Sequence, residues 1–421
     1  MRRSTLIGYK TLSELLVRAF SFLIVVLAAR LLIKEEFGIF SLAWTAGWII
    51  SVSTDFGLQL FLAREVARYP EDAWNIFRCL LRVRISVSGG VFTVVVAACA
   101  LSGWPSHTLA FLTLIGTQVG ISLLEFFNYF YRGLSRSELE SSVNLIHRLL
   151  AFTLAAVFLW SYPTVMGLAG ALIFATGLTL AWSTRLCLKV GRPPSAAGEK
   201  ALWQWKSLSA LFRRVSPIGV GIVLSALYFR VDLFLIEWWK GTEAVALYNA
   251  IFRLVEALRL FPAAVLAVVF PELCRDYSWK TLTWTCFGLF GLAVGLALLS
   301  GGWSDALVEF LYGDGYREAV PALKILLLAL PLLFVNLALT HQLMAWNLQR
   351  FYAFICAGAL LCNLGLNWLL IPKLSIVGAA WSTLGTEVFL TAGCIWVLIR
   401  KGAREVTSES LREALSLGAL S

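Results

Sequence analysis

Charged residues are scarce in this sequence. They make up 14% of the 421 residues, whereas a water-soluble protein carries about a quarter. Hydrophobic residues make up 59%, and apolar runs of about 20 residues recur along nearly the whole chain. Because backbone polar groups must be satisfied within the bilayer, such runs form helices. The composition therefore predicts an all-α integral membrane protein and excludes a soluble one.

Residues that bind metals or form disulfides are also few or poorly spaced. The chain has three histidines, and its eight cysteines include no C-x-x-C pair. Most of the cysteines lie in apolar runs, where cysteine behaves as a small buried hydrophobic residue. No metal site, no cofactor and no disulfide framework is predicted.

Catalytic motifs are missing as well. The sequence contains no phosphate-binding Walker A loop, no G-x-S-x-G, no H-E-x-x-H and no aspartate-rich metal motif. The longest predicted outer connection, 303–319, is too short for a separate catalytic domain. Transport is therefore favoured over catalysis, with a membrane glycan ligase kept as the enzymatic alternative.

The apolar runs predict twelve spans, and the first lacks the cleavage site of a signal peptide. Connections on one side, counted with the adjoining span ends, hold 24 of the 35 basic residues, Arg84 among them; those on the other side hold four, and seven lie farther inside spans. The positive-inside rule then places both termini in the cytoplasm. It also explains the net charge of +10 without nucleic-acid binding, which is not expected. The predicted spans are 11–33, 38–62, 80–102, 108–131, 143–161, 165–187, 213–236, 244–270, 281–301, 320–342, 351–371 and 375–399.

A weak internal repeat divides the spans into two sets of six. A shift of 208 residues places 18–64 on 226–272, and Gly170-Ala171 on Gly378-Ala379. Such repeats predict two pseudo-symmetric six-helix bundles around a central cavity. The predicted segments are an N-terminal bundle at 1–188, a cytoplasmic interfacial linker at 189–214, a C-terminal bundle at 215–401 and a cytoplasmic tail at 402–421.

Basic residues inside spans are the candidates for ligand binding, because an unpaired charge in hydrocarbon is costly. Guanidinium groups match phosphate oxygens, so a cationic cavity suits a phosphate-bearing ligand. Structural pairing of Glu256 with Arg259, and snorkelling of Arg30 and Lys324 towards water, remain alternatives. The predicted binding residues are Arg30, Arg230, Arg253 and Arg259, followed by Arg148 and Lys324. The residues predicted to balance charge or bind a coupling cation are Asp55, Asp232 and Glu256.

Six motifs are spread over the chain: LAARLLIKEEFGIFSL (27–42), DFGLQLFLAREVAR (55–68), YFYRGLSR (129–136), FRVDLFLI (229–236), FPAAVLAVVFPEL (261–273) and IPKLSIVGAAWST (371–383). Together they resemble the Wzx-type polysaccharide-unit flippases of the multidrug/oligosaccharidyl-lipid/polysaccharide exporter superfamily. Arg30 matches the family's arginine before the first hairpin, and Asp232 matches its aspartate in the seventh span.

The resemblance implies a polyprenyl-diphosphate-linked oligosaccharide as substrate, moved across the cytoplasmic (inner) membrane by alternating access. It also implies membrane lipid and a polysaccharide polymerase as partners, in a pathway such as O-antigen or exopolysaccharide synthesis. A multidrug-extrusion antiporter on the same architecture remains the nearest alternative. A pump for cationic drugs would need mainly acidic residues in its cavity, whereas basic residues outnumber acidic ones here.

Overall fold

A computed structural model describes residues 3–101, 107–191, 208–275, 279–346 and 348–402. Helices dominate these ranges and none of them contains a β-strand, so the predicted all-α class is confirmed. Residues 192–207, which make up most of the predicted linker, and the tail from 403 onwards lie outside the described residues.

The chain divides into two compact units, Met1–Ala226 and Leu227–Ser421. The bundle limits at 188 and 215, and the central cavity, stay predictions. Helix α8 (Leu208–Lys240) runs across the division at Ala226. The other helices of the first unit are α1 (Arg3–Leu31), α2 (Lys34–Asp55), α3 (Leu58–Arg68), α4 (Ala73–Leu101), α5 (Thr108–Gly133), α6 (Ser137–Ser161) and α7 (Val165–Gly191). Those of the second are α9 (Thr242–Leu258), α10 (Leu260–Arg275), α11 (Trp279–Gly302), α12 (Ser304–Tyr312), α13 (Val320–Ala345) and α14 (Gln349–Val397).

Two of the predicted spans, 38–62 and 244–270, are each broken into two helices. Between α2 and α3, Phe56 and Gly57 take left-handed backbone angles, with φ of 47° and 84°, which end a right-handed helix. Between α9 and α10, Pro262 has no N–H to donate to the Leu258 carbonyl, so the helix ends near Arg259. The continuous spans expected at these two positions were wrong in this respect.

Helix α14 is a hairpin that contains the last two predicted spans. Its 49 residues are interrupted at Ser375, where φ is 53° and ψ is −135°. In a straight helix, residues 23 apart would be separated by about 35 Å. Here Asn363 Nδ2 donates a hydrogen bond of 3.2 Å to Thr386 Oγ1, which requires the chain to reverse. The two segments are therefore antiparallel neighbours, as the predicted spans 351–371 and 375–399 require.

The described residues contain ten helices long and apolar enough to cross a membrane. That count takes the α14 hairpin as one and omits the broken pair α9 and α10. Separating the arms of α14 and adding the broken pair gives the twelve predicted spans. Among the helices of the described ranges, α12, in the connection between α11 and α13, is the one that the span prediction did not contain.

A glycine at the α14 hairpin provides a test of this geometry. A Cβ on Gly378 would collide with the backbone carbonyl of Leu370, whereas a Cβ on Gly365, in the same helix, would meet nothing. We expect Gly378→Ala to destabilise the folded protein by about 1–3 kcal/mol, as overpacking does. Gly365→Ala should be neutral or slightly stabilising, because alanine favours helix more than glycine does. Thermal unfolding of the two variants in detergent measures the difference, and equal melting temperatures would contradict the hairpin.

The core of the first unit fixes α4, α5 and α6 against one another. The Phe77 and Phe130 rings lie 4.4 Å apart between α4 and α5. Leu62 of α3 and Val143 of α6 are fully buried in the same cluster. Buried aromatic and aliphatic side chains pack at crystal-like density, so the polar side chains carried by these helices are held in place.

Candidate functional site

Arg230 is buried in the second unit and is satisfied by neighbouring side chains. It lies on α8, is 3% exposed, and donates through Nη2 to Glu256 Oε1 at 2.5 Å. Its Nη1 donates to Asn249 Oδ1 at 3.4 Å. The guanidinium also stacks over the Phe252 ring, 4.5 Å from its centroid. These contacts offset the cost of burying a cation and hold Arg230 in one orientation.

Two more arginines lie close to the same carboxylate region. Arg253 Nη1 donates to Glu256 Oε2 at 2.8 Å, so Glu256 is shared between Arg230 and Arg253. Arg259, at the end of α9, lies over the Phe229 ring at 4.6 Å. We call Arg230, Arg253, Arg259 and Glu256 the arginine cluster. It carries three positive charges and one negative charge.

One edge of the arginine cluster is partly exposed. The Arg253 and Glu256 side chains are 22% and 24% exposed, so a ligand can approach them. Arg253 Nε is itself buried and donates to no described residue. A guanidinium held on one side by a carboxylate and partly exposed on another is suited to phosphate oxygens.

Asp232 belongs to a separate hydrogen-bond network. It is 2% exposed, and its Oδ2 accepts a hydrogen bond of 2.7 Å from the Tyr248 hydroxyl. Its Oδ1 accepts from the Leu233 backbone N–H at 2.9 Å. The Tyr248 hydroxyl oxygen also lies 3.1 Å from Thr383 Oγ1. Asp232 therefore shares no direct ion pair with Arg230, in keeping with their spacing of two residues on α8.

In the first unit, Asp55 faces a buried arginine that the sequence analysis counted with the cytoplasmic basic residues. Arg84 is fully buried, and its Nε lies 4.0 Å from Asp55 Oδ1. Its Nη2 donates to the Ser51 carbonyl at 3.0 Å and to Ser122 Oγ. Arg84 lies well inside α4, which begins at Ala73, and so does not belong with the basic residues of a connection. Asp55 thus has a cationic partner that hydropathy alone did not reveal.

A polar cavity of about 300 Å³ lies between α5 and α6 of the first unit. Glu125, Asn128, Tyr129 and Arg132 line it from α5 at spacings of three, four and seven residues, which place them on one helix face. The residues that line it from α6 are Glu140, Asn144, His147 and Arg148. Of these, only Arg148 was among the predicted binding residues. The repeated polar spacing on both helices is the sequence signal that could have identified the cavity.

The remaining predicted residues lie at exposed positions. Arg30 is exposed in the last turn of α1. Lys324 is exposed near the start of α13 and its Nζ donates to Asp305 Oδ2 at 3.3 Å. The structure thus brings together Arg230, Arg253, Arg259 and Glu256, and places Arg148 in the polar cavity of the first unit. It does not bring Lys324 to the arginine cluster.

Comparison with known proteins defines the class to which this fold belongs. The family model described as "Polysaccharide biosynthesis protein" matches residues 6–275. The chain belongs to this family, which confirms the resemblance drawn from its motifs.

Individual relatives agree with this assignment. The chain is 22% identical over 383 residues to the probable low-salt glycan biosynthesis flippase Agl15 of Haloferax volcanii, covering 86% of this chain and 76% of that protein. It is similar in fold to a multidrug resistance MATE family transporter, with a TM-score of 0.72, 12% identity and coverage of 92% and 95%. It is also similar to the lipid II flippase MurJ, with a TM-score of 0.63, 14% identity and coverage of 97% and 91%.

Proposed function

We propose that this protein is a flippase that moves a polyprenyl-diphosphate-linked oligosaccharide across the cytoplasmic membrane for surface polysaccharide synthesis. The distribution of basic residues, 24 against four, supports cytoplasmic positions for both termini. The oligosaccharide would then be loaded from the cytoplasmic side, where the lipid-linked unit is assembled, and a polymerase would use it on the other side.

The arginine cluster is the observation that carries this proposal. A diphosphate accepts hydrogen bonds and bears negative charge, and charge-assisted bonds to guanidinium are about twice as strong as neutral ones. Arg253 and Arg259 offer their groups at a partly exposed edge, while Glu256 and Arg230 hold the cluster together. Family membership and the name of the Haloferax relative support the same substrate class.

The protein is proposed to act as a transporter and not as an enzyme. The arginine cluster is held by the ion pairs of Glu256 with Arg230 and Arg253 and has a partly exposed edge, which suits binding and release of an intact ligand. A multidrug antiporter is the alternative favoured by the MATE fold. The excess of arginine over carboxylate in the arginine cluster disfavours cationic drugs, because like charges within about 4–6 Å repel.

Deletion of the gene in its host tests the proposed function. A flippase predicts that surface glycan is lost while the complete lipid-linked oligosaccharide accumulates in the membrane, because synthesis continues and translocation stops. A drug antiporter predicts unchanged glycan and increased sensitivity to cationic drugs. A glycan ligase predicts that the oligosaccharide reaches the outer leaflet but is not joined to its acceptor. Extraction of the lipids, together with an outer-leaflet accessibility assay, separates the three results.

A further inference from the structure

The polar cavity between α5 and α6 differs in its charge from the arginine cluster. Its charged lining residues are two carboxylates and two guanidiniums, Glu125 and Glu140 with Arg132 and Arg148. Glu140 forms ion pairs with Arg132 and, at 3.9 Å, with Lys10. A diphosphate entering this cavity would face carboxylates as well as arginines. The cavity is therefore poorly suited to the anionic part of the proposed substrate.

The same lining supplies hydrogen-bond donors and acceptors in close alternation. Asn128 Nδ2 donates to Asn144 Oδ1 at 2.8 Å, which orients both amides along the cavity wall. Gln59 Nε2 donates to the Ser122 carbonyl at 3.4 Å, at the α3 side. A sugar hydroxyl is both a donor and an acceptor, so a wall of amide, carboxylate and guanidinium groups can satisfy it in either role.

One buried atom of the cavity lining has no partner. Asn128 is 3% exposed, and its Oδ1 accepts no hydrogen bond from any described residue. A buried unsatisfied carbonyl is costly, about 1–3 kcal/mol, so a native structure normally provides a partner for it. Asn128 is among the residues that line the cavity, so a rotation of its amide would bring this acceptor to a ligand hydroxyl or a water molecule.

The size and position of the cavity restrict what can enter. About 300 Å³ is at the lower end of the range for small-ligand pockets, roughly 300–1,000 Å³, so the cavity fits one small unit of a larger molecule. Arg132, next to the turn that joins α5 and α6, keeps 46% of its side chain exposed, which leaves an approach from that end. Glu125 lies seven residues deeper along α5, about 10 Å away.

We propose that the α5–α6 cavity binds an uncharged sugar residue of the transported oligosaccharide, with Glu125, Asn128 and Arg148 as the main hydrogen-bonding groups. This inference rests on the proposed flippase function and adds a carbohydrate-recognition site to it. The arginine cluster recognises the diphosphate that every such lipid carries, and the cavity recognises the glycan. Specificity for the glycan then resides in the first unit.

Binding of two lipids to the purified full-length protein tests this assignment. One is the lipid-linked oligosaccharide that accumulates in the deletion host, and the other is polyprenyl diphosphate of the same chain length without sugar. We expect the wild-type protein to bind the glycan-bearing lipid at least tenfold more tightly. Glu125→Gln should reduce this preference about tenfold, because a hydrogen bond to a charged group is lost. The affinity of the variant for bare polyprenyl diphosphate should be unchanged.

Further variants keep the result interpretable. If Glu125→Gln does not fold, Gln59→Met serves as the test in its place. Gln59 lies at the partly buried edge of the cavity, and its replacement should also reduce the preference for the glycan-bearing lipid. Glu243→Gln, exposed in the first turn of α9, is the matched control and should behave as wild type. Arg253→Gln should weaken binding of both lipids by the same factor.

The outcomes separate this inference from the proposed function. Equal wild-type affinity for the two lipids would overturn the sugar site and leave the flippase proposal standing, and the cavity would then hold only water. Equal loss of both affinities in Glu125→Gln would also overturn it. Failure of the wild-type protein to bind either lipid, or of the deletion host to accumulate one, would instead overturn the proposed function.

Discussion

Replacement of Arg253 with glutamine should weaken binding of polyprenyl-diphosphate-linked oligosaccharide by about 10- to 150-fold. Arg253 is a member of the arginine cluster whose side chain is 22% exposed, and its Nη1 is oriented by Glu256 Oε2. The loss of a hydrogen bond to a charged group costs about 1.5–3 kcal/mol, and each 1.4 kcal/mol is a factor of ten. Affinity for the lipid, measured with the purified variant, gives this factor directly.

The fold should survive this substitution. Glu256 keeps its ion pair with Arg230 at 2.5 Å when Arg253 is changed, so no buried carboxylate is left without a cation. Arg317→Gln is the matched control, because Arg317 is 58% exposed and lies in the connection before α13. Exposed ion pairs contribute little, so this control should bind the lipid as wild type does. Equal affinities for the Arg253 and Arg317 variants would remove Arg253 from the binding site.

Replacement of Glu256 with alanine should have the largest effect on stability. Glu256 accepts from both Arg230 and Arg253, and Arg230 is 3% exposed. Removal of one partner of a buried ion pair leaves an uncompensated charge and costs about 3–5 kcal/mol. We therefore expect Glu256→Ala to lower the melting temperature in detergent far more than Arg253→Gln does.

A double variant separates this structural role from ligand binding. Arg230→Met with Glu256→Met removes both buried charges and fills the space with apolar side chains, which is often neutral for stability. It should restore much of the melting temperature lost in Glu256→Ala and still bind the lipid weakly, because one of three guanidiniums is gone. If Glu256→Ala melts at the wild-type temperature, the ion pairs are not what holds the arginine cluster together.

The sequence predicted the membrane spans well because hydropathy reports the length of apolar runs directly. The reversal at Ser375 was predicted, because the apolar runs 351–371 and 375–399 were interpreted as separate spans. The breaks at Phe56 and Arg259 were missed, because each lies inside one apolar run. Backbone angles at Phe56 and Gly57 decide the first break, and Pro262 decides the second, a signal that a hydropathy pattern does not use.

The binding residues were harder to predict than the spans. Arg253 and Glu256 are three residues apart, which places them on one helix face, and they form an ion pair there. Arg84 was missed because it was counted with the cytoplasmic connection before its span. Glu125 lies in the predicted span 108–131, but its place beside Arg148 in the polar cavity depends on the packing of α5 and α6. Contacts between helices distant in sequence require the folded structure.

Transport in reconstituted vesicles tests the central claim most directly. A fluorescent polyprenyl-diphosphate-linked oligosaccharide is placed in both leaflets, and a membrane-impermeant quencher is added outside. With wild-type protein we expect quenching to proceed from the outer-leaflet fraction to the whole lipid pool, and with Arg253→Gln to proceed at least tenfold more slowly. If the quenched fraction of the lipid in vesicles with wild-type protein stays at the value for protein-free vesicles, the protein does not translocate the lipid, and the proposed function is wrong.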